Sequence, residues 1–203
     1  ASFKSVSKGE MEILVNDLAE KNPMAIKRLA EDPDLRKKQA ESLKQLLAFA
    51  VAAQKEGMAD EEVNRQELEN IRAQTVAVNY DQFVNKDKGP MPPFGFISED
   101  QVKAFWGEQG DQPSQETWLD KIGLGGTADA RRHEAEFEKF LDTKVTLLKK
   151  DNPQMKDREI TDEEKNEAKD FFAKMKIYEK EYEDKSGQLP EDFKKKTELQ
   201  VKL

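Results

Sequence analysis

Cysteine is absent from the sequence, and histidine occurs once, at His133. Disulfides, thiolate nucleophiles and cysteine-bound metals are therefore excluded, and so is any site that needs two imidazoles. No apolar run approaches the roughly 20 residues that cross a bilayer. The richest stretch, Leu43 to Ala53, is short and heavy in alanine, so no membrane span is expected. A cation surplus is missing too. Lys and Arg total 34 against 42 Asp and Glu, a net charge of -8, so nothing is spare to displace counterions from a phosphate backbone. Nucleic acid is not the expected partner. Sustained β alternation and low-complexity tracts are also lacking. What remains is 203 residues, 36% hydrophobic and 37% charged, with a mean hydropathy of -0.91. That composition suits long helices with wide solvated faces.

Start and stop signals divide the chain into such helices. Ser7 and Glu10 have the spacing of a capping box, and Met11, Leu14, Val15 and Leu18 follow as one apolar stripe. Asn22-Pro23 and Asp32-Pro33 each open a further helix, with proline at the first helical position. The helix after Pro33 carries Leu35, Leu43, Leu46, Leu47, Ala50 and Ala53 at helical spacing and stops at Gly57, a residue free to turn left-handed. Asp60 is expected to cap the next helix. That helix places Leu68, Ile71, Thr75 and Val78 at the spacing of a narrow coiled-coil seam, and it reads as a projecting arm. NKDKGPMPPFGFI, Asn85 to Ile97, holds three prolines and two glycines and breaks the helical pattern. Ser98 caps a short helix with Val102, Phe105 and Trp106. Ser114 starts another with Trp118, Leu119 and Ile122, and GLGGT at residues 123–127 forms a joint. Long helices follow from about Ala128 to Lys150 and from Thr161, and Pro190 opens a last one with no stop signal before Leu203, so it is expected to run on. The expected architecture is all-α and elongated with long helical arms. Its segments are 1–84, a connector at 85–127, and 128–203, the last packing with the first as one composite domain.

Candidate chemistry is sparse. ARRHEAEF begins like a zinc-protease helix but has Phe137 where the second ligand belongs, so His133 reads as a solvated helix residue. The carboxylates read as solvated faces and i,i+4 pairs. GLGGT lacks the lysine of a phosphate loop and follows no strand. No catalytic residue, metal site or cofactor is expected. The distinctive feature is an aromatic and methionine cluster: Met91, Phe94, Phe96, Phe105, Trp106 and Trp118 fall within 28 residues. Such side chains form an ordinary small core or an adaptable apolar cleft, and both readings stay open.

The run from Glu31 to Val63, EDPDLRKKQAESLKQLLAFAVAAQKEGMADEEV, resembles the N-terminal helical region of SurA-type and PpiC-type periplasmic folding factors. Ala53, Gly57, Met58, Asp60, Glu61, Glu62 and Val63 fill the family's pattern of a long helix, A-x-x-x-G, a hydrophobic residue and an acidic pair before valine. ISEDQVKAFW, Ile97 to Trp106, is similar to a segment those proteins carry after their first helices. The likeness covers about Lys8 to Trp106. It implies an ATP-independent, extracytoplasmic, periplasmic chaperone that holds unfolded or partly folded polypeptides in an apolar helical cleft. The opening residues show no signal-peptide pattern, which a mature chain of that kind lacks in any case. The family often carries a parvulin prolyl isomerase domain with a pair of histidines; its motifs are not found here, so isomerase activity is the lesser alternative. A second alternative is an assembly module that pairs through the Leu68–Val78 seam with one partner or with a second copy as a homo-oligomer.

Overall fold

The computed structural model of the protein describes residues 5–107 and 128–203. Among the described residues eight α-helices and three short 3-10 turns form, and no strand does. The protein is all-α. The caps lie where side-chain spacing places them. The Ser7 hydroxyl accepts the Glu10 amide and the Glu10 carboxylate accepts the Ser7 amide, starting α1 (Lys8–Lys21). Asn22 and Asp32 accept the amides of Ala25 and Leu35 at the starts of α2 (Pro23–Glu31) and α3 (Pro33–Lys55). Each of these bonds satisfies an amide that the first helical turn leaves unpaired. Beyond α3, Gly57 turns left-handed with φ +74.

The next start differs from expectation by one residue. The Asp60 amide donates to the Gly57 carbonyl at 3.0 Å and closes the turn Met58–Asp60. With Asp60 used inside that turn, α4 (Glu62–Asn85) begins after Glu61 instead. The Asn64 amide ties the corner together, donating to the Met58 carbonyl at 2.8 Å and to the Glu61 carboxylate at 3.1 Å. Further on, capping boxes at Ser98–Gln101 and Thr161–Glu164 open α5 (Glu99–Trp106) and α7 (Asp162–Lys185). Between them lies α6 (Ala128–Asp151), and α8 (Glu191–Lys202) follows Pro190. The helix expected from Ser114 and the joint at 123–127 lie outside the described residues.

Two compact units result: Ala1–Asn64 together with Pro190–Leu203, and Arg65–Leu189. The expected segments, 1–84, 85–127 and 128–203, draw the boundaries differently. The final helix docks on α1 rather than staying with α6 and α7, and most of α4 belongs to the middle unit.

That middle unit is built around aromatic rings. Phe172 of α7 meets Phe140 at 5.3 Å, Phe137 at 5.7 Å, Trp106 at 6.1 Å and Phe105 at 6.3 Å between ring centroids. Ring pairs at such spacings contribute about 0.5–1.5 kcal/mol each beyond the area they bury. From α4, the buried hydrophobic side chains are Ala73, Val76, Ala77 and Tyr80. The arm reading fails here: Leu68 and Ile71 are exposed, while Val78 leans on the core. Small residues on the inner face leave room for the rings of α7, and Tyr80 reaches Tyr178 at 5.6 Å and Tyr182 at 6.3 Å.

The proline-rich stretch is stapled to this core. Phe94 and Gly95 both adopt φ +55, a bend that points the Phe94 ring at Phe171, 5.0 Å away. Below Gly95, the Asn85 amide donates to Asp81 at 2.8 Å and to the Tyr178 hydroxyl at 2.9 Å. A Cβ at Gly95 would lie 2.2 Å from Asp81 Oδ1 and 2.7 Å from Asn85 Nδ2, whereas one at Gly89, also at positive φ, would meet nothing within 4 Å. Backbone strain alone should cost Gly89→Ala about 1 kcal/mol. Strain plus overpacking should cost Gly95→Ala about 3 kcal/mol. Urea denaturation of the two variants checks this, and equal losses would show that the close approach at Gly95 is unimportant.

Candidate functional site

The structure divides the expected aromatic cluster between core and surface. Phe94 and Trp106 are sealed in the core of the middle unit, at 7% and 8% exposure. Phe105 is half-buried and stacks on the His133 ring at 3.7 Å, with 5° between planes. His133 Nδ1 lies 3.0 Å from the Phe105 carbonyl. The lone histidine is therefore no solvated helix residue: it fastens α6 to the end of α5. Met91 and Phe96 stay exposed, with the Lys88 ammonium 5.2 Å above the Phe96 ring. Trp118 lies outside the described residues. The core has consumed the rings at Phe94 and Trp106, and they offer no surface.

An open apolar groove lies elsewhere, in the unit of the chain ends. Helices α1, α2 and α3 contain no buried residue. Between them runs a groove of about 720 Å3. One wall is the α1 stripe of Met11, Leu14, Val15 and Leu18; Met24, Ala25 and Leu29 of α2 and Leu35 of α3 complete it. Met24 is 64% exposed. Only one charged side chain, Arg28, lines this groove, with Asn22 and Gln39 as the other polar contributors. On α3, the positions following Leu35 and Gln39 on the same helical face include Leu46 and Phe49. Those two are exposed by 55% and 73%. At 1.5 Å rise per residue the apolar track from Leu35 to Phe49 is about 21 Å long. Uncovered apolar surface of this extent, rimmed by charge, is the usual mark of an interaction site.

Electrostatics fixes the groove's α1 wall. Glu10 and Asp17, two turns apart and so on one face, meet α8. Lys202 donates to Glu10 at 2.7 Å, Gln200 donates to Asp17 at 3.1 Å, and Lys196 pairs with Asp17 as well. The hydrogen bond from Lys202, with those from Ser7, holds the Glu10 carboxyl down at about 2. Burial pushes the Asp17 carboxyl up, but Lys196 and Lys21 outweigh it and leave the group below its usual range.

The middle unit has a smaller hollow of about 190 Å3 among Leu141, Val145, Leu148, Met155 and Ile160. Two of its rim cations are paired, Lys144 with Glu67 and Arg158 with Glu164. Long-range pairs of this kind, with Arg72–Glu179 and Lys169–Glu134, take up several of the carboxylates that the sequence places on solvated faces. Among the described residues no group of three acidic or histidine side chains could hold a metal ion. No helix there is long and apolar enough to cross a membrane.

No protein-family model, curated protein or solved structure matches the chain.

Because the folded carboxylates of Glu10 and Asp17 titrate below their unfolded values, their contribution is complete above about pH 4.5 and fades as the pH falls toward 2. The α1–α8 contact should therefore loosen over that window. Amide exchange in α8 at pH 5.5 and pH 3 measures it after correction for intrinsic rates. Glu10→Gln should reduce the difference between the two, and identical protection at both pH values would contradict the assignment.

Proposed function

We propose that the protein is an ATP-independent holding chaperone that shields apolar segments of non-native polypeptides in the groove of α1–α3. The single observation that carries this reading is the absence of any buried residue in those three helices, alongside exposed Met24, Leu46 and Phe49. Two thioether side chains, Met11 and Met24, line the groove; their flexibility and polarisability suit partners of varied shape. A second copy of the chain is a poorer occupant, since each carries a net charge of -8 and like charges repel. No covalent step is required. Each client side chain covered contributes about 1.5–3 kcal/mol, offset by the entropy of ordering a flexible segment. Two or three such side chains supply about 3–9 kcal/mol before that offset, so affinities are weaker than about micromolar, weak enough for release without nucleotide.

The resemblance of residues 8–106 to SurA-type and PpiC-type factors agrees with this reading and would place the protein outside the cytoplasm, in the periplasm. Support for the holding role itself comes from the groove rather than from the resemblance.

At stoichiometric amounts and without ATP, the protein should delay aggregation of several unrelated denatured proteins, measured by light scattering. Met24→Glu, at an exposed groove position, should lose most of that activity. Leu68→Glu, exposed on α4, should keep it. Protection of a single client, or equal loss in both variants, would overturn the proposal.

A further inference from the structure

We infer that the groove selects apolar segments that carry an acidic side chain at one end, with Arg28 as the residue that reads it. This rests on the holding function proposed above and specifies its ligand. Around the helix junctions most cations are already engaged. Lys21 pairs with Asp17 at 3.1 Å and Lys27 lies 3.9 Å from Glu31. Arg36 donates to the Leu29 and Ala30 carbonyls at 2.7 Å and 2.6 Å, where it closes the end of α2. Arg28 is different. It lines the groove, is exposed, and has no carboxylate partner among the described residues. An unpaired guanidinium beside Met24 and Leu29 presents five donors in a fixed fork, a geometry that matches a carboxylate.

The position of Arg28 also orients the ligand. It sits near the α2–α3 junction in the groove that Leu35 also lines, while the apolar track leads away along α3 to Leu46 and Phe49. A segment lying on that track passes over about 21 Å, the length of roughly six extended residues. Its apolar side chains then cover the α3 stripe as its carboxylate reaches Arg28. Gln39, lining the groove one turn beyond Leu35, has both a donor and an acceptor for the backbone of such a chain. The occupant is an internal stretch of polypeptide, and the acid is an Asp or Glu side chain rather than a chain end.

The test uses acetylated, amidated, fluorescently labelled peptides with one apolar hexamer flanked by Asp or by Asn, titrated with the full chain and followed by anisotropy. Wild type should bind the Asp peptide about threefold more tightly, the size expected of an exposed ion pair, and added salt should erase the difference. Arg28→Gln should bind both peptides alike, at the wild-type affinity for the Asn peptide. Arg28→Lys should keep part of the preference, which separates charge recognition from any loss of fold. Equal binding of both peptides by wild type would overturn this inference and leave the holding function standing. Equal weakening of both peptides by Arg28→Gln would also overturn it, by assigning Arg28 a packing role. No binding of either peptide would remove the holding function and this inference together.

Discussion

Ring packing around Phe172 is the contact on which the rest of the structure depends. It draws α5, α6 and α7 into one core by way of Phe105, Trp106, Phe137 and Phe140, and α4 joins them through Ala73, Ala77 and Tyr80. Once those rings are committed to one another they cannot also receive a client. Phe94 extends the same core by bending the proline-rich stretch back onto Phe171. The polar cluster of Asp81, Asn85 and Tyr178 beneath Gly95 holds that bend in place. Burial there lifts the Tyr178 phenol above its ordinary range; the Asn85 hydrogen bond pulls it down and the Asp81 charge reinforces the rise.

The unit of the chain ends is put together on the opposite principle. Its first three helices each start on a cap and α8 braces α1, with no filled interior, and Met11, Leu14, Leu18, Met24, Leu29 and Leu35 line a groove. A folded chain seldom leaves so much adjoining apolar surface open without a use for it. The ion pairs from Lys196 and Lys202 reach α1 through Asp17 and Glu10, neither of which lines the groove, so the wall is braced while its apolar stripe stays accessible. Buried packing and open apolar surface are thus divided between different side chains, aromatic in the middle unit and mainly aliphatic in the other.

How much of this was legible in the sequence depends on the range over which each signal acts. Capping boxes act over three residues, so Ser7–Glu10, Ser98–Gln101 and Thr161–Glu164 could be read directly, as could the stop at Gly57. The choice of buried face on α4 could not. Leu68, Ile71 and Val78 outweigh Ala73 and Ala77 in bulk, yet the rings that cover the alanine face come from about a hundred residues further on. The tether of His133 is likewise hidden, since its partner Phe105 lies 28 residues upstream. Sequence density also misled at the aromatic cluster: Phe94 is sealed and Phe96 exposed because the chain turns left-handed between them. On α1 the stripe of Met11, Leu14, Val15 and Leu18 was plain. That α2 and α3 would leave it uncovered is a fact of packing, with no local signature.

The central claim is that apolar binding surface resides in α1–α3 and not among the aromatic rings. Hydrogen exchange with and without an excess of a permanently unfolded polypeptide tests it most directly. The account requires slowed exchange in residues 11–49 on addition of the polypeptide, with 65–107 and 128–189 unchanged. Slowing confined to the middle unit, with α1–α3 exchanging as in the free protein, would contradict it.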